Sequence, residues 1–283
     1  MYHIAHQSPP QGGRRKPKKG DIEMFGFGKR KKAQQYWLSP IDSRYWKQAE
    51  EILSSAHILI AGRTGCGKST MMHSLLWTAL VKTPAKVQFI FIDMKRGIEM
   101  QRYADLPHTI GFAINEEEAI TALDKAISIM QSRLDEMRSK GETMFAGADV
   151  YVVIDELGFL LQSCGQDALK RLTLISQQGR AAKVHLLMAT QNPSKKGIPA
   201  AIQQNMTCMV GLSCKSDIES RQIIGKSGCE FLPKHGEGIM LTDDWQRIAI
   251  YMTPDEDIKA RIAWWMDKSK CVVDKLPAGV AAN

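Results

Sequence analysis

Long apolar runs and paired cysteines are missing from this 283-residue sequence, and we expect no secretory leader. No stretch approaches the roughly 18 uninterrupted apolar residues of a membrane-spanning helix, and residues 1–7 form no apolar signal core. The six cysteines are scattered without a Cys-x-x-Cys pair, which is typical of buried free thiols in a cytosolic protein. The seven histidines show no metal-ligand spacing with acids or cysteines. We therefore expect a cytoplasmic protein with no transmembrane segment of its own.

Acidic residues are scarce near the N-terminus, where the positive charge of the chain is concentrated. Residues 1–40 contain nine basic and two acidic side chains, which supply +7 of the formal net charge of +8. Residues 1–35 are also rich in Pro, Gly and Gln and poor in core-forming side chains, so we expect a disordered basic arm. Three roles stay open for it: improving solubility, contacting nucleic-acid phosphates, or contacting anionic lipid.

Short apolar runs alternate with helical patterns from residue 36 onward. The sequence predicts strands over 57–61, 87–92, 150–154, 184–189, 207–212, 238–241 and 248–252. It predicts helices over 68–81, 116–138, 167–177 and 255–267. This alternation indicates an α/β fold, with a mainly parallel sheet flanked by helices and an antiparallel hairpin at one edge. We expect one domain over 36–270 and a flexible C-terminal tail over 271–283.

A glycine-rich stretch follows the first predicted strand and opens the first predicted helix. Residues 62–69 read G-R-T-G-C-G-K-S, which matches the P-loop pattern G-x-x-x-x-G-K-[S/T]. Its backbone N–H groups and the helix N-terminus would form a positive concavity for phosphate. Lys68 would contact the β- and γ-phosphates and Ser69 would ligate Mg²⁺. The residues predicted to bind ATP are Gly62, Arg63, Thr64, Gly65, Cys66, Gly67, Lys68, Ser69 and Thr70.

An acidic pair ends the strand V-Y-V-V-I at 150–154. Ligands of parallel sheets bind outside the carboxyl ends of the strands, so Asp155 is expected beside the P-loop. There Asp155 can hold Mg²⁺, and Glu156 can polarise the attacking water as a general base. Alone, such a strand-end aspartate could equally cap the next turn. Next to a P-loop, the pair favours hydrolysis over simple nucleotide binding.

Four blocks of sequence carry a family resemblance. They are A-G-R-T-G-C-G-K-S-T (61–70), F-I-D-M-K-R-G-I-E-M (91–100), V-V-I-D-E-L-G-F-L-L (152–161) and Q-G-R-A-A-K-V-H-L-L-M-A-T-Q-N-P-S (178–194). Together with S-D-I-E-S-R-Q-I-I-G (216–225), they resemble the FtsK/SpoIIIE family, within the FtsK–HerA group of DNA-pumping ATPases. The P-loop alone indicates only the superfamily, whereas the fourth block is specific. The resemblance covers roughly residues 55–245.

The resemblance implies a RecA-like core that assembles as a ring, usually a hexamer, around DNA, with ATP at the subunit interfaces. Gln191 in A-T-Q would sense the γ-phosphate. Arg180 in G-R-A would be an arginine finger that acts on the ATP of a neighbouring subunit, although a surface cation at a helix end is the alternative. Asp93 and Lys95 would either face the interface or support the site.

The chain also departs from the chromosome-segregating members of this family. It has no room for a membrane domain, a long linker or a winged-helix domain, and Asn192 stands where the family often has Arg. The helical subdomain before the P-loop would have to fit within 36–55, so we expect it to be absent or vestigial. These departures favour a motor-domain-only form, as in phages or conjugative elements.

Three functions follow from these patterns. The first is an ATP-dependent DNA translocase that serves transfer, packaging or partition of DNA and has little intrinsic sequence specificity. The second is a conjugation coupling protein that links a DNA–protein complex to a membrane channel, with a channel or relaxase partner that recruits it to the membrane. The third is a motor that pumps or remodels protein.

Overall fold

The computed structural model describes residues 43–194 and 197–272. The helices are α1 (Ser43–Leu53), α2 (Lys68–Lys82), α3 (Glu116–Lys140), α4 (Leu157–Gln178), α5 (Ala200–Gln203), α6 (Asp217–Ile224) and α7 (Asp255–Val272). The strands are β1 (His57–Ala61), β2 (Val87–Ile92), β3 (Thr109–Ala113), β4 (Asp149–Ile154), β5 (Val184–Thr190), β6 (Cys208–Gly211), β7 (Glu237–Leu241) and β8 (Trp245–Ala249). Short 3₁₀ helices span Pro84–Lys86, Gln101–Tyr103 and Cys229–Phe231.

The two predicted terminal segments fall almost entirely beyond these bounds. The basic arm at 1–35 lies outside the described residues, and α7 ends two residues inside the predicted tail at 271–283. One helix, α1, precedes the first strand in the described part of the chain. Across the described residues, no helix is both long enough and apolar enough to cross a membrane.

A single eight-stranded sheet, in the order β3-β2-β4-β5-β1-β6-β7-β8, forms the centre of the fold. The strands from β3 to β6 in this order pair in parallel, and β7 and β8 continue the sheet as antiparallel neighbours. This confirms the predicted mainly parallel sheet with an antiparallel edge hairpin. Because the parallel strands run in one direction, the loops after β1, β2, β4, β5 and β6 meet at one edge, here named the carboxyl edge.

The central strand β1 shows how the sheet is buried on both faces. All five of its residues are buried, as expected for a continuous apolar strand covered by helices. Ile58 and Ile60 belong to the apolar cluster that α2 and α7 complete, whereas Leu59 and Ala61 belong to the cluster completed by α3 and α4. Each fully buried large aliphatic side chain contributes about 1.5–3 kcal/mol. The P-loop therefore follows a strand that is packed on both faces of the sheet.

Some elements differ from the sequence predictions. The predicted helix over 167–177 is the second half of the longer α4, which is kinked at Gly165 with φ 54°. Strand β8 begins at Trp245, three residues before the predicted 248–252, because its pairing with β7 sets Trp245 opposite Leu241. Most of β8 is exposed, so an apolar run does not mark it. Strand β3 and the helices α1, α5 and α6 were not predicted.

Three histidines, of which His57 and His108 are buried and His73 is half-buried, make the fold sensitive to acid. His57 is 1% exposed, its Nδ1 accepts from Leu186 N–H at 3.2 Å, and its Nε2 has no hydrogen-bond partner among the described residues. Burial, and then the charge of His185, lowers the pKa of His57 to about 3. Burial likewise lowers the pKa values of His73 and His108 to about 4.

The free energy of unfolding is therefore expected to fall as the pH falls below about 6.5. The unfolded chain binds protons on these histidines from about pH 6.5 downward, whereas the folded chain resists them until about pH 4 to 3. His57→Asn offers an amide oxygen to Leu186 N–H but cannot titrate. Between pH 7 and pH 5, the free energy of unfolding should therefore fall by up to about 2 kcal/mol less in this variant than in the wild type. Urea unfolding at both pH values checks this, with exposed His235→Asn as the control; equal losses in wild type and His57→Asn would contradict it.

Candidate nucleotide-binding site

The P-loop lies at the carboxyl edge, between strand β1 and helix α2. Gly67 precedes the helix in a left-handed conformation, with φ 102° and ψ 16°, and no side chain caps the helix start. Gly65 also has a positive φ, 70°. A Cβ on Gly62 would lie 2.8 Å from Cys66 Sγ and 2.9 Å from Leu212 Cβ, so the close approach of the backbone at position 62 to these two side chains requires glycine. The first N–H groups of α2 can therefore bind an anion, as the sequence predicts.

Lys68 folds back over this loop. Its Nζ donates to the carbonyl oxygens of Gly62 at 2.8 Å and Arg63 at 2.9 Å, and the residue is only 7% exposed. Burial lowers the pKa of Lys68, an effect that the nearby Cys66 and Glu156 partly oppose. Among the described residues, the hydrogen bonds of this buried ammonium go to neutral carbonyls, so its charge is poorly compensated, and phosphate oxygens would supply the missing negative charge.

Asp155 follows strand β4 at the same edge, and β5 separates β4 from the P-loop strand β1 in the sheet. Its carboxylate is 5% exposed, and Oδ2 accepts from Lys95 Nζ at 2.8 Å. Burial acts to lower the pKa of Lys95, but the hydrogen bond and charge of Asp155 outweigh it, so this pKa is raised. The ammonium of Lys95 is therefore fixed in its charged form and holds Asp155 in place.

The Glu156 carboxylate is hydrogen-bonded to residues at the end of strand β5. Its Oε1 accepts from the Thr190 hydroxyl and from Gln191 N–H, both at 3.0 Å, and Oε2 accepts from Gln191 N–H at 3.2 Å. The Gln191 side chain continues the chain of bonds, because its Oε1 accepts from the Thr64 hydroxyl at 2.6 Å. The candidate base, the candidate sensor and the P-loop are thus joined within one hydrogen-bonded unit.

Asp93 explains how Lys95 is positioned. Its carboxylate is fully buried and accepts from the backbone N–H groups of Lys95 at 3.1 Å, Glu99 at 2.9 Å and Met100 at 3.0 Å. These bonds fix the turn after β2, in which Arg96 has a positive φ of 62°. Of the two roles suggested for Asp93 and Lys95, the contacts within one chain favour support of the site.

Arg180 lies away from this cluster. It is exposed in the turn between α4 and β5, at the start of a strand whose far end carries Thr190 and Gln191. The seven residues of β5 rise about 3.3 Å each, which places Arg180 at the opposite edge of the sheet from its own P-loop. A finger role for Arg180 is therefore confined to the site of another subunit, as the sequence-based hypothesis has it, and stays a prediction.

Sequence reasoning did not single out Thr190, which is fully buried and bonds Glu156. It stands in the A-T-Q stretch directly before Gln191, so the motif contained it without indicating its role. Its contact depends on β4 and β5 being neighbours, with Ile154 opposite Met188. That adjacency is a property of the sheet order.

Ser69 and Asp155 are the residues predicted to hold Mg²⁺, and their chemistry suits that ion. Ser69 is the second residue of α2, and Asp155 offers a carboxylate at the same edge. In the described part of the chain, no group of three or more His, Cys, Asp or Glu side chains could hold a metal by itself. Mg²⁺ takes only one or two protein ligands and otherwise keeps water and phosphate oxygens. One hydroxyl and one carboxylate are therefore a suitable set.

Known proteins resemble this chain over most of its length. Residues 44–149 match the sequence profile of the FtsK/SpoIIIE family. DNA translocase FtsK of Lactococcus lactis subsp. cremoris is 27% identical over 243 residues, which cover 77% of this chain and 32% of that protein. DNA translocase FtsK of Staphylococcus epidermidis is 32% identical over 206 residues, which cover 65% and 26%. The chain thus spans about a third or less of the length of the curated relatives it matches.

Solved structures share the fold. The pCW3 conjugation coupling protein TcpA, in its monomer form with ATPgS, has a TM-score of 0.68 at 20% identity and matches 75% of this chain and 65% of its own. The cytoplasmic domain of the Type VII secretion ATPase EccC from Thermomonospora curvata has a TM-score of 0.63 at 23% identity, over 74% and 28%. At these identities the likeness concerns the fold. With its P-loop, its acidic pair and the profile match over residues 44–149, the chain is similar to the FtsK/SpoIIIE family of P-loop ATPases.

Proposed function

We propose that this protein hydrolyses Mg-ATP and uses the energy to move DNA. The observation that carries the hydrolytic part is the placement of Glu156. Its carboxylate is held by Thr190 and by Gln191 N–H at the edge of the sheet where the P-loop opens. A carboxylate fixed in this place is suited to orient and deprotonate a water molecule next to the terminal phosphate.

Binding of the triphosphate would change the bonds of Lys68. Its ammonium would leave the two P-loop carbonyls and contact phosphate oxygens, which are charged acceptors and so bind it more strongly. The N–H groups of the turn at Gly65 and Gly67 and the start of α2 would hold the remaining phosphate charge. Ser69 and Asp155 would hold Mg²⁺, which neutralises charge developing on the phosphates.

Gln191 would report the state of the nucleotide. Its backbone N–H bonds the proposed base Glu156, and its side chain bonds Thr64 in the P-loop. A change at the terminal phosphate that moves Glu156 or Thr64 would therefore also move Gln191 at the end of β5. This strand begins at the turn that carries Arg180, so the same element links the site of one subunit to a residue facing another.

The DNA part of the proposal is supported by the relatives. Both FtsK proteins named above are DNA translocases. We propose a ring of identical subunits, hexameric as in the family, with DNA in the central pore. The basic residues of the arm at 1–35 would contact DNA phosphates, and the protein would act in the cytoplasm.

Steady-state ATP turnover tests this function. With Mg²⁺ at low salt, single- or double-stranded DNA should raise the turnover rate several-fold, and the form that does so is the track. Turnover that does not respond to either form would contradict a DNA motor. Such a result would favour the coupling function, to which the fold likeness with TcpA gives some weight, and the next measurement would be a pull-down with channel or relaxase proteins.

A further inference from the structure

The segment between β6 and β7 is hydrogen-bonded to the P-loop. Arg63 N–H donates to the Ser213 carbonyl at 3.0 Å, and the Ser213 hydroxyl donates to the Leu232 carbonyl at 3.3 Å. The Leu232 side chain is 7% exposed and packs into the apolar cluster on one face of the sheet. Lys234 follows two residues later. These contacts hold the backbone before Lys234 at the rim of the nucleotide site.

The Lys234 side chain extends over the P-loop turn. Its Cε lies 3.8 Å from the position that a Cβ on Gly65 would occupy. Gly65 belongs to the turn whose backbone N–H groups face a bound phosphate in P-loops. The ammonium nitrogen is one bond beyond Cε, and the long aliphatic chain lets it move freely. It can therefore reach a phosphate held in this turn.

Lys234 has no carboxylate partner among the described residues, although two acids flank it in sequence. Glu230 accepts from Gly228 N–H at 2.8 Å, and Glu237 accepts from the Arg247 guanidinium at 2.8 Å. Lys234 itself is exposed. An ammonium beside an anion-binding turn, with the local carboxylates engaged elsewhere, has an electrostatic partner only when an anion occupies the turn.

We propose that Lys234 binds the polyphosphate of the bound nucleotide, as a second cation in addition to Lys68. The inference rests on the proposed ATP binding and adds a residue that the P-loop motif does not contain. Because Lys234 is exposed, solvent screens its charge, so its effect on affinity should be smaller than that of Lys68. An exposed charge pair of this kind contributes roughly fivefold or less to a binding constant.

Lys234→Met tests the proposal, because it removes the charge and keeps most of the aliphatic chain. ATP and inorganic tripolyphosphate would each compete against a fluorescent ATP analogue in the presence of Mg²⁺. Both competitors should bind roughly three- to fivefold more weakly to the variant, by the same factor, and Lys234→Arg should restore the wild-type values. Lys226→Met is the matched control, since Lys226 in the same loop lies over the Trp245 ring at 4.3 Å instead of over the P-loop.

Two results would overturn the assignment. If neither competitor is weakened, Lys234 does not contact the nucleotide. If ATP is weakened and tripolyphosphate is not, Lys234 acts on the nucleoside and not on the polyphosphate. Wild-type protein that fails to bind ATP at all would overturn the proposed function itself, and with it this inference, so the two failures are distinguishable.

Discussion

Replacing Lys68 with alanine is expected to weaken ATP binding by at least about 100-fold. The ammonium is buried, bonds two carbonyl oxygens within the part of the chain that the structure describes, and belongs to the one lysine of the P-loop motif. Hydrogen bonds to a charged group contribute about 1.5–3 kcal/mol each, and a tenfold change in Kd corresponds to about 1.4 kcal/mol. Losing two such bonds to phosphate therefore accounts for the expected loss. Titration with a fluorescent ATP analogue measures it.

The exposed Lys86→Ala, just beyond helix α2, is the matched control and should bind ATP as the wild type does. Urea unfolding of both variants separates lost binding from lost folding. Wild-type affinity in a folded Lys68→Ala variant would mean that the nucleotide binds elsewhere, and the whole account of the carboxyl edge would be wrong.

Replacing Glu156 with glutamine is expected to leave ATP binding within about threefold of wild type and to lower kcat by about 10²- to 10⁴-fold. The loss is the usual effect of removing a general base. Glutamine has the same shape and keeps an oxygen that can accept from Thr190 and Gln191, so the linkage between β4 and β5 should persist. ATP should therefore accumulate on the protein, and assemblies that depend on bound ATP should become long-lived.

Single-turnover hydrolysis and size-exclusion chromatography with ATP measure both effects. Glu117→Gln, on the exposed first turn of α3, is the control for the loss of one carboxylate and should retain full turnover. A kcat close to wild type in Glu156→Gln would assign the base to another group. A large loss of ATP affinity would instead mean that Glu156 mainly supports the P-loop.

Much of the site could be predicted because it depends on local sequence. A buried apolar strand, a glycine-rich turn and a helix start occur together at 57–70, and the acids at 155–156 end a second such strand. Each strand carries its own apolar pattern, and the carboxyl ends of parallel strands meet at one edge. The positions of Lys68, Asp155 and Glu156 followed from these rules alone.

Other features depend on contacts between distant segments. Strand β3 is a half-buried edge strand with a central Gly111, so no continuous apolar run marks it. Helix α6 could have been found, because Ser216 caps it by accepting from Glu219 N–H, the S-x-x-E pattern of a helix start. The approach of Lys234 to Gly65 could not have been found from the sequence, because it depends on the hydrogen bonds that hold the segment between β6 and β7 in place.

The ratio of ATP turnover with DNA to turnover without it tests the central claim most directly. It should be measured at low salt and again as salt increases, with Glu156→Gln as the background. We predict that DNA raises wild-type turnover several-fold, that the increase fades with salt because phosphate contacts are screened, and that Glu156→Gln shows no increase. A ratio of one for both single- and double-stranded DNA, in protein that turns over ATP, would contradict a DNA-translocating ATPase.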